Sequence, residues 1–264
     1  MKVLNFALFF LFILTFSQAK TNVGIFENLA GTKDLFADDY GNIYLYKSSN
    51  FSLAKYDSLG ILKAEFMLTL PFKIQSVQNP LNIPSFSENA QEVKFFDKNL
   101  AEIQTIRLQQ KFGYIKAAYA EDLQQLWLLD GSSKNLIQYH FREDKILNKF
   151  PLYMDVEDVL DLIVHEKQIY LLYKDKLAVY NFRSEKVVEI PVENARKLRR
   201  ENDNILIISK NVISQLEGNQ LRPLFRCTDC QIVDKNSSSY FEMRDNKLYL
   251  YPLEKRWSKA QEKK

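Results

Sequence analysis

A strand–turn–strand phrase recurs down the chain about every 35–45 residues, a spacing that signals a repeat architecture. The apolar strands in it are apolar on both faces, and helical periodicity is nearly absent beyond the first residues. These three observations predict an all-β fold: a single β-propeller, six blades of four antiparallel strands, its ring closed by an N-terminal strand that completes the last blade. The phrase is clearest at residues 36–46, FADDYGNIYLY, which reads as strand, polar turn and apolar strand. The segments IYLY, LWLL, IYLLY and ILII lack the alternation expected of a sheet with one wet face. Propeller blades pack face to face, so their inner strands are buried on both sides.

Residues 1–19 stand apart from the repeats. Lys2 supplies a positive start, residues 3–16 are apolar apart from Asn5 and Thr15, and Ser17-Gln18-Ala19 offers the small residues of a cleavage site. This is the pattern of a secretory signal peptide. The expected organisation is a signal peptide at 1–19, a propeller at 20–253 and a charged tail at 254–264. No Cys sits at the cleavage site for lipid attachment, and no later stretch is long and apolar enough to span a bilayer. The expected location is therefore periplasmic or secreted.

The first copy, 33–66, reads as a four-stranded meander with turns at Asp38-Asp39-Tyr40-Gly41 and Asp57-Ser58-Leu59-Gly60. The second, 72–108, is degenerate. Pro80 and Pro84 interrupt its second strand, which is expected to be short, irregular or at an edge. The third, 114–152, contains LWLLDGSSKNLIQYHF, with a hairpin opening at Asp130-Gly131. The fourth, 159–192, and the fifth, 195–225, place Tyr170 and Leu206 where the first and third have Tyr44 and Trp127. Residues 156–164 also admit reading as a helical turn. The last copy supplies three strands and lacks a fourth; residues 22–26, strand-like and otherwise unassigned, are expected to fill the gap.

Apolar residues make up 46% of the 264 and charged residues 26%, within the globular range. Only 7 residues are Gly, which argues against folds that bring backbone up to phosphate. The 14 Tyr and 19 Phe suit strands. A formal charge of +3, with both signs mixed along the chain, gives no electrostatic case for nucleic acid.

The repeated strand–turn–GNIYLY phrase resembles the six-bladed β-propellers of the NHL-like and exported bacterial groups, over most of the chain beyond residue 19. Such groups include binding scaffolds, envelope-assembly factors and lactonase-type hydrolases, so the resemblance implies a fold and leaves the activity open. Lactonase-like members hold Ca2+ in the central channel with inward acidic and amide groups.

No nucleophile elbow, H-E-x-x-H, P-loop or Rossmann fingerprint is present. The best acidic cluster is Asp155, Glu157, Asp158 and Asp161, all from one stretch; channel ligands from other blades would have to include residues such as Asp34 or Asp234. The basic run Arg196, Lys197, Arg199 and Arg200 opens the fifth blade beside it. Asp158, Asp161, Lys197, Arg199 and Arg200 are therefore the candidate ligand-binding residues of the channel or its rim. The competing reading is that neighbouring blades pair these charges with one another. Cys227 and Cys230, in Cys-Thr-Asp-Cys, form a possible disulfide outside the cytosol, since one such pair supplies only two of the four ligands that zinc wants. His140 and His165 read as structural residues.

The expected function is a non-enzymatic exported propeller that binds a protein partner or assists assembly in a bacterial cell envelope. It needs no cofactor, no nucleic acid and no transmembrane span after signal removal. The alternative is a small-ligand binder or metal-dependent, lactonase-like hydrolase using the central channel, with Ca2+ as its ion.

Overall fold

The computed structural model describes residues 21–22 and 29–253. The expected signal peptide and charged tail lie outside the described residues. Among the described residues every element is a β-strand. Blade 1 comprises β2 (Thr32–Ala37), β3 (Ile43–Lys47), β4 (Ser52–Tyr56) and β5 (Leu62–Met67). Blade 2 comprises β6 (Lys73–Ile74), β7 (Ile83–Ser87), β8 (Glu92–Phe96) and β9 (Glu102–Arg107). Blade 3 comprises β10 (Ile115–Ala120), β11 (Gln125–Asp130), β12 (Asn135–His140) and β13 (Lys145–Pro151). Blade 4 comprises β14 (Asp161–His165), β15 (Gln168–Leu172), β16 (Lys176–Asn181) and β17 (Lys186–Pro191). Blade 5 comprises β18 (Ala195–Glu201), β19 (Asn204–Ser209), β20 (Val212–Glu217) and β21 (Gln220–Arg226). Blade 6 comprises β22 (Ile232–Lys235), β23 (Ser239–Arg244) and β24 (Lys247–Pro252), completed by β1 (Thr21–Asn22).

The molecule is thus a six-bladed β-propeller. Ring closure uses Thr21 opposite Leu250 and Asn22 opposite Tyr249. Of the expected closing strand 22–26, Asn22 lies in β1 and residues 23–28 are outside the described residues. Antiparallel meanders put two sets of turns on opposite faces of the ring. The top face carries the turns from first to second and from third to fourth strands; the bottom face carries the rest.

The core lies between the blades. Six clusters of buried apolar side chains occur among the described residues, one at each blade–blade interface. Leu35, Leu45 and Ala54 of blade 1 pack on Phe241, Met243 and Leu248 of blade 6, while Phe36, Tyr44 and Leu53 pack on Phe72, Ile83 and Phe96 of blade 2. One strand therefore feeds two interfaces through its alternate side chains, which is why IYLY is apolar throughout. The abundant aromatics fill these seams: Phe66 stacks on Phe96 at 4.3 Å, and Phe150 on Phe182 at 4.3 Å.

Turn chemistry explains the repeat. Asp38, fully buried, accepts from Tyr40 N, Asn42 N, Asn42 Nδ2 and the Tyr44 hydroxyl. Asp57, Asp97 and Asn181 accept backbone N–H groups two and four residues on in the third-to-fourth strand turns of blades 1, 2 and 4. Gly41 takes φ +84° to close the first turn.

Two readings need correction. Residues 161–165 form strand β14, not part of a helical turn. In blade 2 it is the first strand, not the second, that is cut short. β7 is regular and buried along all five residues, with Pro84 inside it. Pro84 O accepts from Gln75 N, so the missing Pro84 N–H faces the same side. The ladder toward β6 therefore loses a donor, and β6 has only two residues. The side toward β8 keeps its full register.

Candidate functional site

The first strands of the six blades surround the central channel. Residues opposite Tyr46, Phe86, Leu129, Leu172, Ile208 and Met243 fall in one layer: Asp34, Lys73, Ala117, Asp161, Lys197 and Ile232. Two acids and two bases thus meet across the ring, with a small and an apolar residue between them.

They pair. Lys73 Nζ is 3.0 Å from Asp161 Oδ1 and donates to Leu160 O at 2.6 Å, joining blades 2 and 4. Asp161 Oδ2 accepts from Leu198 N at 2.7 Å, tying blade 4 to blade 5. Lys197 Nζ donates to Asp34 Oδ1 at 3.1 Å, Asp234 Oδ2 at 3.3 Å and Leu35 O at 2.7 Å, so its three protons are all used. Its Nζ also sits 3.6 Å from the centroid of the Phe36 ring. Arg196 pairs with Asp34 and donates to Val233 O at 3.0 Å. Arg199 lies 2.9 Å from Glu201 and 3.6 Å from Asp234, and Glu201 also pairs with Lys235.

Burial works on both partners of the central pair. It pushes Asp34 up, but the Arg196 and Lys197 charges outweigh it and hold the carboxyl below its ordinary value. Burial draws the Lys197 ammonium down, against the pull of Asp234 and Asp34. Arg199 Nε and Nη2 are shielded from solvent without a hydrogen-bond partner. A cavity of about 20 Å3 lies against Arg199, Lys197 and Asp234, large enough for one water.

Each end of the channel widens into a mouth. The top mouth, about 430 Å3, is lined by Asn79, Asn82, Tyr119, Glu121, Arg199 and Arg200. The bottom mouth, about 490 Å3, has Lys33, Lys116, Arg196 and Glu88 around Phe36 and Phe72. Gln75 and Asp161 line both. Gln75 Oε1 accepts from Ala120 N at 2.9 Å, and its amide donates to Ala118 O, so its side chain is spent holding blade 3.

The candidate residues of the sequence do not gather at one point. Lys197 lies at the channel centre with Asp34 and Asp234. Asp161 faces Lys73, and Arg199 turns toward blade 6. Arg200 sits at the top mouth, its Nε donating to Asn202 O at 2.8 Å. Asp158 is exposed near Lys116 on the bottom side, where Lys116 is held by Glu88 at 2.6 Å. Arg196, Lys197 and Arg199 of the basic run therefore reach acids of blades 6 and 1 rather than the acidic start of blade 4. The sequence reading began the second copy at residue 72 but did not single out Lys73 or Gln75, since β6 is only two residues long and carries no strand pattern of its own. The repeat register was the signal that could have placed Lys73 opposite Asp161.

Cys227 and Cys230 are free, buried neighbours in the link from blade 5 to blade 6, packed with Ile208, Ile213, Val233 and Tyr240. Burial, then the hydrogen bond with Cys227, pushes the Cys230 thiol well above its ordinary value.

No family model and no curated protein matches the chain. Solved structures match it in fold. A streptogramin B lyase is 12% identical with TM-score 0.53, covering 89% of this chain and 87% of that one. The WD40 domain of Pan2 from Neurospora crassa is 9% identical with TM-score 0.51, covering 89% and 96%. The virginiamycin B lyase of Staphylococcus aureus is 9% identical with TM-score 0.50, covering 89% of each chain. At these identities the likeness is one of fold alone.

Proposed function

We propose that this protein is an exported, non-enzymatic propeller scaffold that binds a protein partner in the bacterial cell envelope. The observation that carries the reading is the one-sided distribution of exposed apolar side chains. All fifteen large ones recorded among the described residues lie between Tyr40 and Val187, in blades 1 to 4 and their links; blades 5 and 6 have none. On the top face the first turns of three successive blades present Tyr40 (77% exposed), Leu81 (65%) and Leu123 (47%). Leu59 and Ile61 stand in the neighbouring turn of blade 1, where a Cβ on Gly41 would lie 3.8 Å from Ser58 Cβ. The equivalent turns of blades 4 to 6 carry Glu166-Lys167, Asn202-Asp203 and Ser237-Ser238. Apolar turns on three successive blades beside polar turns on the other three suit docking of another protein.

The channel supports the same reading. A channel ligand or a Ca2+-dependent hydrolase calls for acidic or amide groups from three or more blades converging with free lone pairs. Asp34, Asp161 and Asp234 are instead each held by a cation from another blade. Among the described residues no helix is long and apolar enough to cross a membrane. Export rests on the signal-like pattern of residues 1–19 and is tested by N-terminal sequencing of the periplasmic fraction, with Lys20 as the expected first residue.

The docking test is cross-linking and capture from envelope extracts. The native protein retains a specific partner, and the triple variant Tyr40→Ser, Leu81→Ser, Leu123→Ser loses it while keeping its urea midpoint. Equal recovery by both proteins, or no partner with the native one, overturns the reading.

A further inference from the structure

Blades 4 and 5 bring together one cluster that the scaffold role does not use. The turn after β14 places His165 and Glu166 beside Asp203 of the turn after β18, and one ligand atom from each lies within 4.8 Å of the others. His165 Nε2 is 3.5 Å from Asp203 Oδ1 but is not aligned for a hydrogen bond. The imidazole is only 11% exposed, and its Nε2 is shielded from solvent with no hydrogen-bond partner at all. A buried ring nitrogen without a partner calls for an explanation. The two carboxylates beside it stand on exposed turns, with Asp203 83% exposed. Glu166 and Lys167 both hold left-handed backbone, φ 49° and 62°, which fixes the tight turn that carries the glutamate. Lys167 and Arg200 are the cations on these turns; Arg200 is directed to Asn202 O.

We propose that His165, Glu166 and Asp203 form a site for a divalent transition cation of the Zn2+ class. An imidazole nitrogen with two carboxylates is a donor set that suits Zn2+ better than Ca2+ or Mg2+, which take oxygen ligands. Bonds of about 2.0–2.2 Å to each donor need the exposed Glu166 and Asp203 side chains to close by a fraction of an ångström to about an ångström around the fixed imidazole. The cation supplies the partner that Nε2 lacks and clips two neighbouring blades together. Three protein donors leave a fourth tetrahedral position open on the top face. The site is independent of the apolar sector on blades 1 to 3.

The test is calorimetric titration of the metal-stripped protein with Zn2+ alone, with Co2+ absorption as a second readout of the coordination geometry. One Zn2+ binds per chain and raises the unfolding midpoint. His165→Gln and Asp203→Asn each weaken binding at least about tenfold. Asp203→Asn alters an exposed side chain, so its unfolding midpoint without metal stays at the native value and separates lost binding from lost folding. The Cys227→Ser, Cys230→Ser variant keeps the site. Absence of Zn2+ binding, or binding that survives Asp203→Asn and His165→Gln but is lost with the cysteines, overturns the proposal.

Discussion

Replacing Lys197 by Met tests whether paired charges hold the ring together at its centre. The substitution keeps most of the length of the side chain and removes the ammonium. Lys197 is 5% exposed, between Asp34 at 20% and Asp234 at 2%. Removing one member of a buried ion pair costs about 3–5 kcal/mol, because the remaining charge is left desolvated and short of a partner. Here Asp34 keeps Arg196 and the Leu35 N–H, and Asp234 keeps Arg199 at 3.6 Å and the Lys235 N–H. Those residual partners place the expected loss at the low end, about 3 kcal/mol. For a domain of this size that lowers the thermal midpoint by about 6–12 °C. The assay is urea and thermal unfolding followed by far-ultraviolet circular dichroism, with Lys63→Met as the control. Lys63 pairs with Asp57 at 2.8 Å but is 49% exposed, so its loss costs under about 1 kcal/mol. Equal, small losses for the two variants would refute the idea that the Lys197 cluster ties blades 5, 6 and 1.

Asp38→Ala removes the acceptor for two backbone N–H groups, the Asn42 amide and the buried Tyr44 hydroxyl. It is expected to destabilise the protein by about 2–4 kcal/mol in urea titrations. Acid sensitivity follows from Asp34 and Asp130. Burial raises each, but Arg196 and Lys197 in the first case and the Ser132 and Ser133 donors in the second leave both below their ordinary value of 3.8. Their contribution is fully present above the unfolded-state value and is lost as pH falls through the depressed folded-state values. Asp34→Asn therefore flattens the stability–pH curve below about pH 4, and an unchanged slope would contradict the assignment. For the cysteines, which are free and buried, thiol titration should find Cys227 and Cys230 unreactive in the folded protein and both reactive once it is denatured without reductant; a signal that needs reductant would show the pair to be oxidised.

The blade core was legible in the sequence because both faces of each inner strand meet another blade, so IYLY, LWLL and ILII carry no polar break. The turns were legible too, since Asp38, Asp57, Asp97 and Asn181 each satisfy local backbone donors that any such reversal leaves exposed. Blade 2 was misjudged because a proline's effect depends on which neighbour its missing N–H faces. At Pro84 that neighbour is β6, which the sequence alone does not say. The candidate site was half legible. Lys197, Arg199 and Asp161 do face the channel, and Asp34 and Asp234 were the acids expected there, but that both pair with Lys197, 163 and 37 residues away, and that Asp161 pairs with Lys73, is not written in any local pattern.

Local chemistry therefore determined the repeat, its apolar strands and its turns, since each depends on residues a few positions apart. Only the tertiary structure decided what the charges do. Closure of the ring brings position-equivalent residues of different blades across one channel, and there Asp34 meets Lys197 and Asp161 meets Lys73. It also decided that His165 faces Asp203 across a blade boundary and that the exposed apolar side chains fall on blades 1 to 4 and spare blades 5 and 6 among the described residues. A one-dimensional pattern encodes the period of a repeat; the rotation from blade to blade determines which members of different repeats meet.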